Sequence, residues 1–194
     1  MQFIREKDIY ICPTLQWYAV GYGQYGIDEM LSQRGMEFIS SEIKADWAEK
    51  SKEYRAKLGS EKFQEEKEAY AKEMQERLDV VLKLEEQGTK LLISPDSSSK
   101  FIVPGFGLLE EMKLYQKAGL TNQAILKSAT LNFAHFFNEN YGVIGVGKDA
   151  DFILTIKNPL ENIKALENIA GLFYNGNYIN KEQLDEFLKK TTGF

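Results

Sequence analysis

The sequence predicts an α/β fold in which strands and helices alternate around a long helical insertion. Three observations lead there. Residues 90–119, "KLLISPDSSSKFIVPGFGLLEEMKLYQKAG", place a short apolar run ahead of a helical pattern that ends at Gly119. Between Ser40 and Gly88 there is no proline and one glycine, Gly59, so that stretch reads as helix. After Gly142 the chain becomes β-rich, and "LFYNGNYI" carries an Asn175-Gly176 pair suited to a tight hairpin turn.

The elements follow in order. "DIYICPTL" (residues 8–15) reads as a strand stopped by Pro13, followed by an aromatic, glycine-rich loop, "QWYAVGYGQYG". Residues 28–58 and 60–87 are expected to be mainly helix, broken near "LGS", with Gly59 as C-cap and Ser60 as the next N-cap. Phe63, Tyr70, Met74, Leu78 and Val81 or Leu82 form one apolar stripe, and the opposite face is Glu and Lys spaced to pair at i,i+4. A helical hairpin packed on itself fits this pattern, as does a helix awaiting a coiled-coil partner. "KLLIS" is the next strand and should run parallel to residues 9–15, with Asp96 at its C-terminal end. "LLEEMKLYQKAG" is the helix after it. "TNQAILKSATLNFAHFF" is one further helix, with Thr121 as N-cap. "DFILTI", the "LFYNGNYI" hairpin and a terminal helix, "KEQLDEFLKK", complete the chain.

Composition restricts the function. The 194 residues carry a net charge of −5, with 43% hydrophobic and 27% charged residues, which describes a globular chain large enough for a sizeable core. An acidic balance with interspersed cations argues against nucleic acid or an anionic membrane as partner. The lone cysteine, Cys12, excludes an internal disulfide framework and fits a reducing compartment. The N-terminus "MQFIREKDIY" lacks an apolar signal core and no 18-residue apolar run occurs, so the sequence as written is expected to be cytoplasmic.

Several motifs lose their chemistry in context. "GVGKDA" (145–150) matches a dinucleotide fingerprint, but that motif must open a helix and here a strand, "DFILTI", follows. His135, the only histidine, sits among Phe133, Phe136 and Phe137 and reads as a packed or half-exposed residue rather than a ligand. Ser97, Ser98 and Ser99 have neither a nucleophile elbow nor a histidine base, and no Cys/His spacing makes a zinc site. Asp96 is different. It stands where a buried strand gives way to a loop, the place where (β/α) barrels carry their catalytic groups.

Four stretches together carry a resemblance: "YICPTL", the segment from "KLLISPD" through "LNFAHFF", "YGVIGVGKDADFILTIKNPLENI", and "IAGLFYNGNYI". In this order and spacing the chain resembles the C-terminal part of a metal-dependent amidohydrolase, of the imidazolonepropionase-like and dipeptidase-like group. The resemblance implies the last two strand–helix units of a (β/α)8 TIM barrel with a long helical insertion, followed by part of an accessory β-sandwich. The corresponding division is a partial barrel over 1–140 with a hairpin at about 28–87, a sandwich module over 141–180, and a terminal helix over 181–194.

The resemblance also implies chemistry. Such enzymes hold one or two divalent metals, often zinc, at the barrel mouth, and the strand-eight aspartate, matched here by Asp96, contacts the metal and shuttles a proton to the leaving group. Small amides or dipeptides are the implied substrates, with Tyr22, Lys100 and Phe106 as candidate substrate-binding residues. Two departures stand out. The family's Gly-Thr-Asp is Ser94-Pro95-Asp96 in this chain. The family's metal-binding histidines and its bridging lysine or glutamate have no counterpart. The expectation is therefore a C-terminal piece, inactive alone, that needs an N-terminal half or self-association. The alternatives are a non-catalytic interaction protein using the hairpin as its binding surface, and an unrelated α/β protein.

Overall fold

The computed structural model describes residues 2–97 and 99–191. Ser98, one of the three serines considered above, and residues 192–194 of the expected terminal helix lie outside the described residues.

Two short strands start the architecture. β1 (Tyr10–Ile11) pairs in parallel with β2 (Lys90–Leu91), in the register Tyr10↔Lys90 and Ile11↔Leu91. The parallel pairing agrees with expectation, but the strands are much shorter than residues 9–15 and 90–95. The backbone beyond Leu91 finds other partners. The Leu92 N–H still reaches the Ile11 carbonyl at 2.8 Å, whereas the Ile93 N–H donates to the Ser128 carbonyl at 3.3 Å. Ladder pairing stops where a helix end takes over the hydrogen bonds. Among the described residues this sheet has no third strand on either edge.

The segment read as an aromatic loop begins with a helix, α2 (Leu15–Gly21). Leu15 and Ala19 are buried on its inner face, four residues apart as a helix requires. Short helix α1 (Gln2–Glu6) precedes β1, and α3 (Ile27–Ser32) with a 3₁₀ turn (Met36–Phe38) follows α2. Residues 28–58 are thus not continuously helical: Gly35, at φ 94°, breaks them, and an added Cβ there would lie 2.6 Å from the Phe106 ring.

The hairpin forms as read except at one cap: Gly59 is both the C-cap of the first helix and the N-cap of the second, so Ser60 is the first helical residue and not the expected N-cap. In α4 (Ser41–Leu58) the Ser40 hydroxyl accepts the Ile43 N–H at 3.3 Å, an N-cap that satisfies one orphan donor. Gly59, at φ 79°, ends it and admits the reversal into α5 (Ser60–Glu86). α5 buries Met74, Leu78, Val81 and Leu84, so its C-terminal half follows the apolar stripe and packs into the core. Its N-terminal half reaches outward with α4, which buries no residue fully.

α6 (Phe106–Ala118) ends at Gly119 in the left-handed region, φ 104°. α7 (Asn122–Ala129) begins with the Thr121 hydroxyl accepting the Ala124 N–H at 3.1 Å. The single helix expected over 121–137 is two, because the chain bends at Thr130, φ −133° and ψ −83°, before α8 (Leu131–Phe137). Its hydroxyl donates to the Leu126 carbonyl at 2.8 Å, the back-bonding by which threonine competes with helical geometry.

The main core gathers Leu15, Leu78, Leu91, Ile93, Tyr115 and Ile125. At about 2–3 kcal/mol for each buried large aliphatic side chain, it is the dominant stabilising element. A smaller cluster of Ile27, Met30, Met36, Phe101 and Val103, with Trp47 of α4 against it, ties the hairpin base to the 99–105 loop.

The C-terminal module is an antiparallel sheet of β3 (Phe152–Thr155), β4 (Ile169–Tyr174) and β5 (Asn177–Asn180), followed by α9 (Lys181–Thr191). Asn175 at φ 50° and Gly176 at φ 72° form the predicted turn. Stacked Phe152 and Phe173 rings, 4.5 Å apart, lie on one face. A 3₁₀ turn (Ile163–Glu167) plugs fully buried Ile163 into the main core. Among the described residues no helix is long and apolar enough to cross a membrane.

Candidate functional site

The site is built where β1 and β2 deliver their chains to loops. Leu91, Leu92 and Ile93 are buried. Their path is pinned from the side: the Tyr115 hydroxyl donates to the Leu92 carbonyl and the Asn132 amide to the Leu91 carbonyl, each at 2.8 Å. Pro95 is still buried, and Asp96 is exposed. Asp96 has a φ of 57°, a conformation that aspartate tolerates better than most residues. Among the described residues its carboxylate makes no hydrogen bond and no ion pair.

The loop returns through buried Phe101, Ile102 and Val103 to α6. Gly107 makes that return fit. A Cβ there would stand 2.8 Å from Ile102 Cγ2 and 3.3 Å from Pro95 Cγ. The missing side chain lets the Asp96 loop seat on the first turn of α6.

Glu111, one turn further along α6, is fully buried. Its Oε1 accepts the Leu15 N–H at 2.8 Å and its Oε2 accepts the Gln16 N–H at 2.5 Å. These are the first amides of α2, whose own N-cap residue, Thr14, makes no side-chain cap. A carboxylate from 95 residues away therefore caps the helix and fixes the turn after β1. Burial pushes its pKa up to about 7, against the lowering effect of the two amide bonds. The Cys12 thiol nearby is raised as well, chiefly by burial and then by the charges of Glu111 and Asp96. Glu111 escaped the sequence reading, although a signal was present. It lies on the same helical face as Gly107, Leu114, Tyr115 and Ala118, all buried, and a carboxylate on a core-facing stripe needs a partner.

The other candidates divide. Tyr22 and Lys100 both line a cavity of about 580 Å³ between the hairpin, the end of α2 and the 99–102 loop. Tyr22 stacks on Tyr70 at 4.4 Å, donates its hydroxyl to Glu73 Oε1 at 2.7 Å and receives an Arg77 N–H at 3.1 Å. The Tyr22 hydroxyl is raised in pKa by burial first, while Glu73 is lowered by its hydrogen bonds from Tyr22 and Arg77. Phe106 is not at this cavity; it packs at Gly35 and stacks on Phe38 at 5.4 Å. Asp96 is not a wall residue either, although its carbonyl accepts the N–H of Ser99, which is one, at 3.4 Å.

The donor set does not fit a metal ion by itself. Among the described residues no group of three or more His, Cys, Asp or Glu side chains is placed to hold one. His135 is exposed on α8. One carboxylate cannot complete a four-coordinate site.

Comparison with known proteins places this geometry. A family model described as "Amidohydrolase family" matches residues 61–179. Among solved structures, a bottromycin amidohydrolase aligns at 21% identity with a TM-score of 0.73, over 94% of this chain and 39% of its own. A Xaa-Pro dipeptidase with bound methionine in the active site aligns at 19% identity with a TM-score of 0.59, over 92% of this chain and 36% of its own. The chain thus spans well under half the length of these structures, and at such identity the likeness is one of fold. No curated protein matches.

Proposed function

The chain belongs to the amidohydrolase family, and we propose that it supplies the closing part of an amide-hydrolysing (β/α)8 barrel with Asp96 as its catalytic carboxylate. In this reading residues 1–140 are a partial barrel carrying the hairpin insertion, and residues 141–180 are part of a β-sandwich. The observation that carries it is the placement of Asp96: exposed and unpaired among the described residues, in the loop five residues past the end of the parallel strand pair at Leu91 rather than at the strand end itself, inside the family match. Such a carboxylate can take a proton from an attacking water and return it to the departing amine, a role worth roughly 10²–10⁴ in rate. The histidine ligands and any divalent ion they hold would come from chain beyond these 194 residues, since the donors among the described residues do not suffice.

The open sheet supports that reading. Among the described residues β1 and β2 have no strand partners on their outer edges, and such edges invite pairing. Phe136, 50% exposed, packs edge-on against Tyr10 of β1, and Phe137, 58% exposed, packs against Phe136, so the two extend an uncovered apolar face. The test is to assay small amides and dipeptides with the chain alone and then co-expressed with a histidine-bearing barrel half of the same family. Turnover should appear only in the complex and drop at least about 100-fold in Asp96→Asn. Turnover by the complex that survives Asp96→Asn would refute the role given to this residue.

A further inference from the structure

The cavity between the hairpin and α2 has a chemistry of its own. Its walls bring together α2, the α4–α5 hairpin and the 99–102 loop, segments distant in sequence. Its volume of about 580 Å³ falls in the usual range of small-molecule sites. Among the described residues four cations and one carboxylate, Glu66, line it, in a chain whose net charge is −5. Lys50 is neutralised by Asp46 at 2.7 Å. Arg55, Lys67 and Lys100 have no carboxylate partner among the described residues.

Arg55 is held ready for a ligand. Its guanidinium lies over the Phe63 ring, 4.9 Å from the centroid, and one N–H donates to the Tyr25 carbonyl at 3.1 Å. A guanidinium carries five N–H donors, so this anchoring leaves others free in the half-buried position. Burial also lowers its pKa, the mark of a cation kept from water without a counter-ion. Flat apolar surface stands beside it: Trp17 and Tyr54 are 42% and 52% exposed, and Tyr70 also lines the space.

We infer that this cavity binds a small aromatic carboxylate, its ring among Trp17, Tyr54 and Tyr70 and its carboxylate at Arg55 and Lys67, with Lys100 at the rim. The ligand's shape follows from the walls. Phosphate sites use free backbone N–H groups at helix N-termini or in nests. Here Arg55, Lys67 and Tyr70 lie within α4 and α5, past the first turn, where backbone amides are already bonded inside the helices. The donors on offer are side chains; an arginine fork takes a carboxylate or a phosphate alike, and the lack of backbone donors around it is what favours the carboxylate. The aromatic walls add stacking. This inference goes beyond the amide-hydrolysis reading and does not depend on it, because binding here needs neither Asp96 nor a closed barrel.

The test is calorimetric titration of the full chain with 2-naphthoate, 2-naphthamide and cyclohexanecarboxylate, with tryptophan emission followed in parallel. Naphthoate should bind saturably at one site and quench Trp17, and the quench should vanish in Trp17→Phe while Trp47 still emits. The neutral amide and the non-aromatic acid should each bind at least about tenfold more weakly. Lys67→Met and Lys100→Met, changes at the cavity wall and rim, should weaken naphthoate several-fold while leaving the circular dichroism spectrum intact; Arg55→Met should weaken it most. Equal affinity for acid and amide, no saturable binding by folded chain, or unchanged affinity in all three cation variants would overturn the inference. None of these readouts measures turnover, so its failure is distinct from failure of the role given to Asp96.

Discussion

Replacing Glu111 with glutamine separates two opposed forces on one buried carboxylate. Burial raises its pKa from 4.5 to about 7, while the amides of Gln16 and Leu15 pull the other way. The folded state therefore holds the proton more tightly than the unfolded chain. The stability this group contributes is complete below about pH 4.5 and is lost as pH rises through about 7. At about 1.4 kcal/mol per pH unit, that gap is worth roughly 3 kcal/mol. Glutamine keeps the shape and one acceptor but cannot ionise. The stability of Glu111→Gln minus that of the native chain should rise by roughly 3 kcal/mol between pH 4.5 and pH 8, whatever its offset. Every other titrating group is common to both proteins and cancels. Urea unfolding followed by circular dichroism at pH 5, 6, 7 and 8 measures the difference directly. A flat difference would mean that Glu111 does not titrate in this window. A falling one would mean that the helix amides outweigh burial and hold the anion. Either result refutes the reasoning.

Two further substitutions probe the loop that carries Asp96. Tyr115→Phe removes the hydroxyl bonded to the Leu92 carbonyl at 2.8 Å and should cost about 1–2 kcal/mol in urea unfolding; an unchanged midpoint would show that the bond is not a constraint on the strand exit. Gly107→Ala puts a methyl 2.8 Å from Ile102 Cγ2 and should cost about 1–3 kcal/mol. It should also speed proteolysis between residues 96 and 105, and a native digestion pattern would count against tight seating of that loop on α6.

What the sequence disclosed was what short stretches decide by themselves. The Thr121 cap, the Gly59 and Gly119 stops and the Asn175-Gly176 turn each depend on a few adjacent residues, and all are present. The α5 stripe was visible because one face of one helix carries it, and Met74, Leu78 and Val81 lie buried along it. The start of "QWYAVGYGQYG" read as loop for the same reason. Its aromatics and glycines look irregular locally, and the group that stabilises the helix, Glu111, lies 95 residues away. The bend at Thr130 was missed because threonine is tolerated within helices, and only its bond back to Leu126 shows the bend.

The candidate site divides along the same line. Asp96 could be singled out because its surroundings in sequence, a buried run ending in a polar loop, already describe its environment. The cavity was legible only in part: Tyr22 and Lys100 stand among the expected substrate-binding residues and both line it, but Trp17, Arg55 and Tyr70 belong to no common periodicity and meet only when α2 docks against the hairpin. Glu111 joins the two levels. By capping α2 it fixes the exit of β1 beside the Asp96 loop, and through α2 it also sets where Trp17 and Tyr22 face the hairpin. A polar residue on an apolar helical stripe is thus a sequence signal for long-range structure. It announces a buried partner without saying where that partner lies, and here the partner is the helix on which both the loop geometry and the cavity depend.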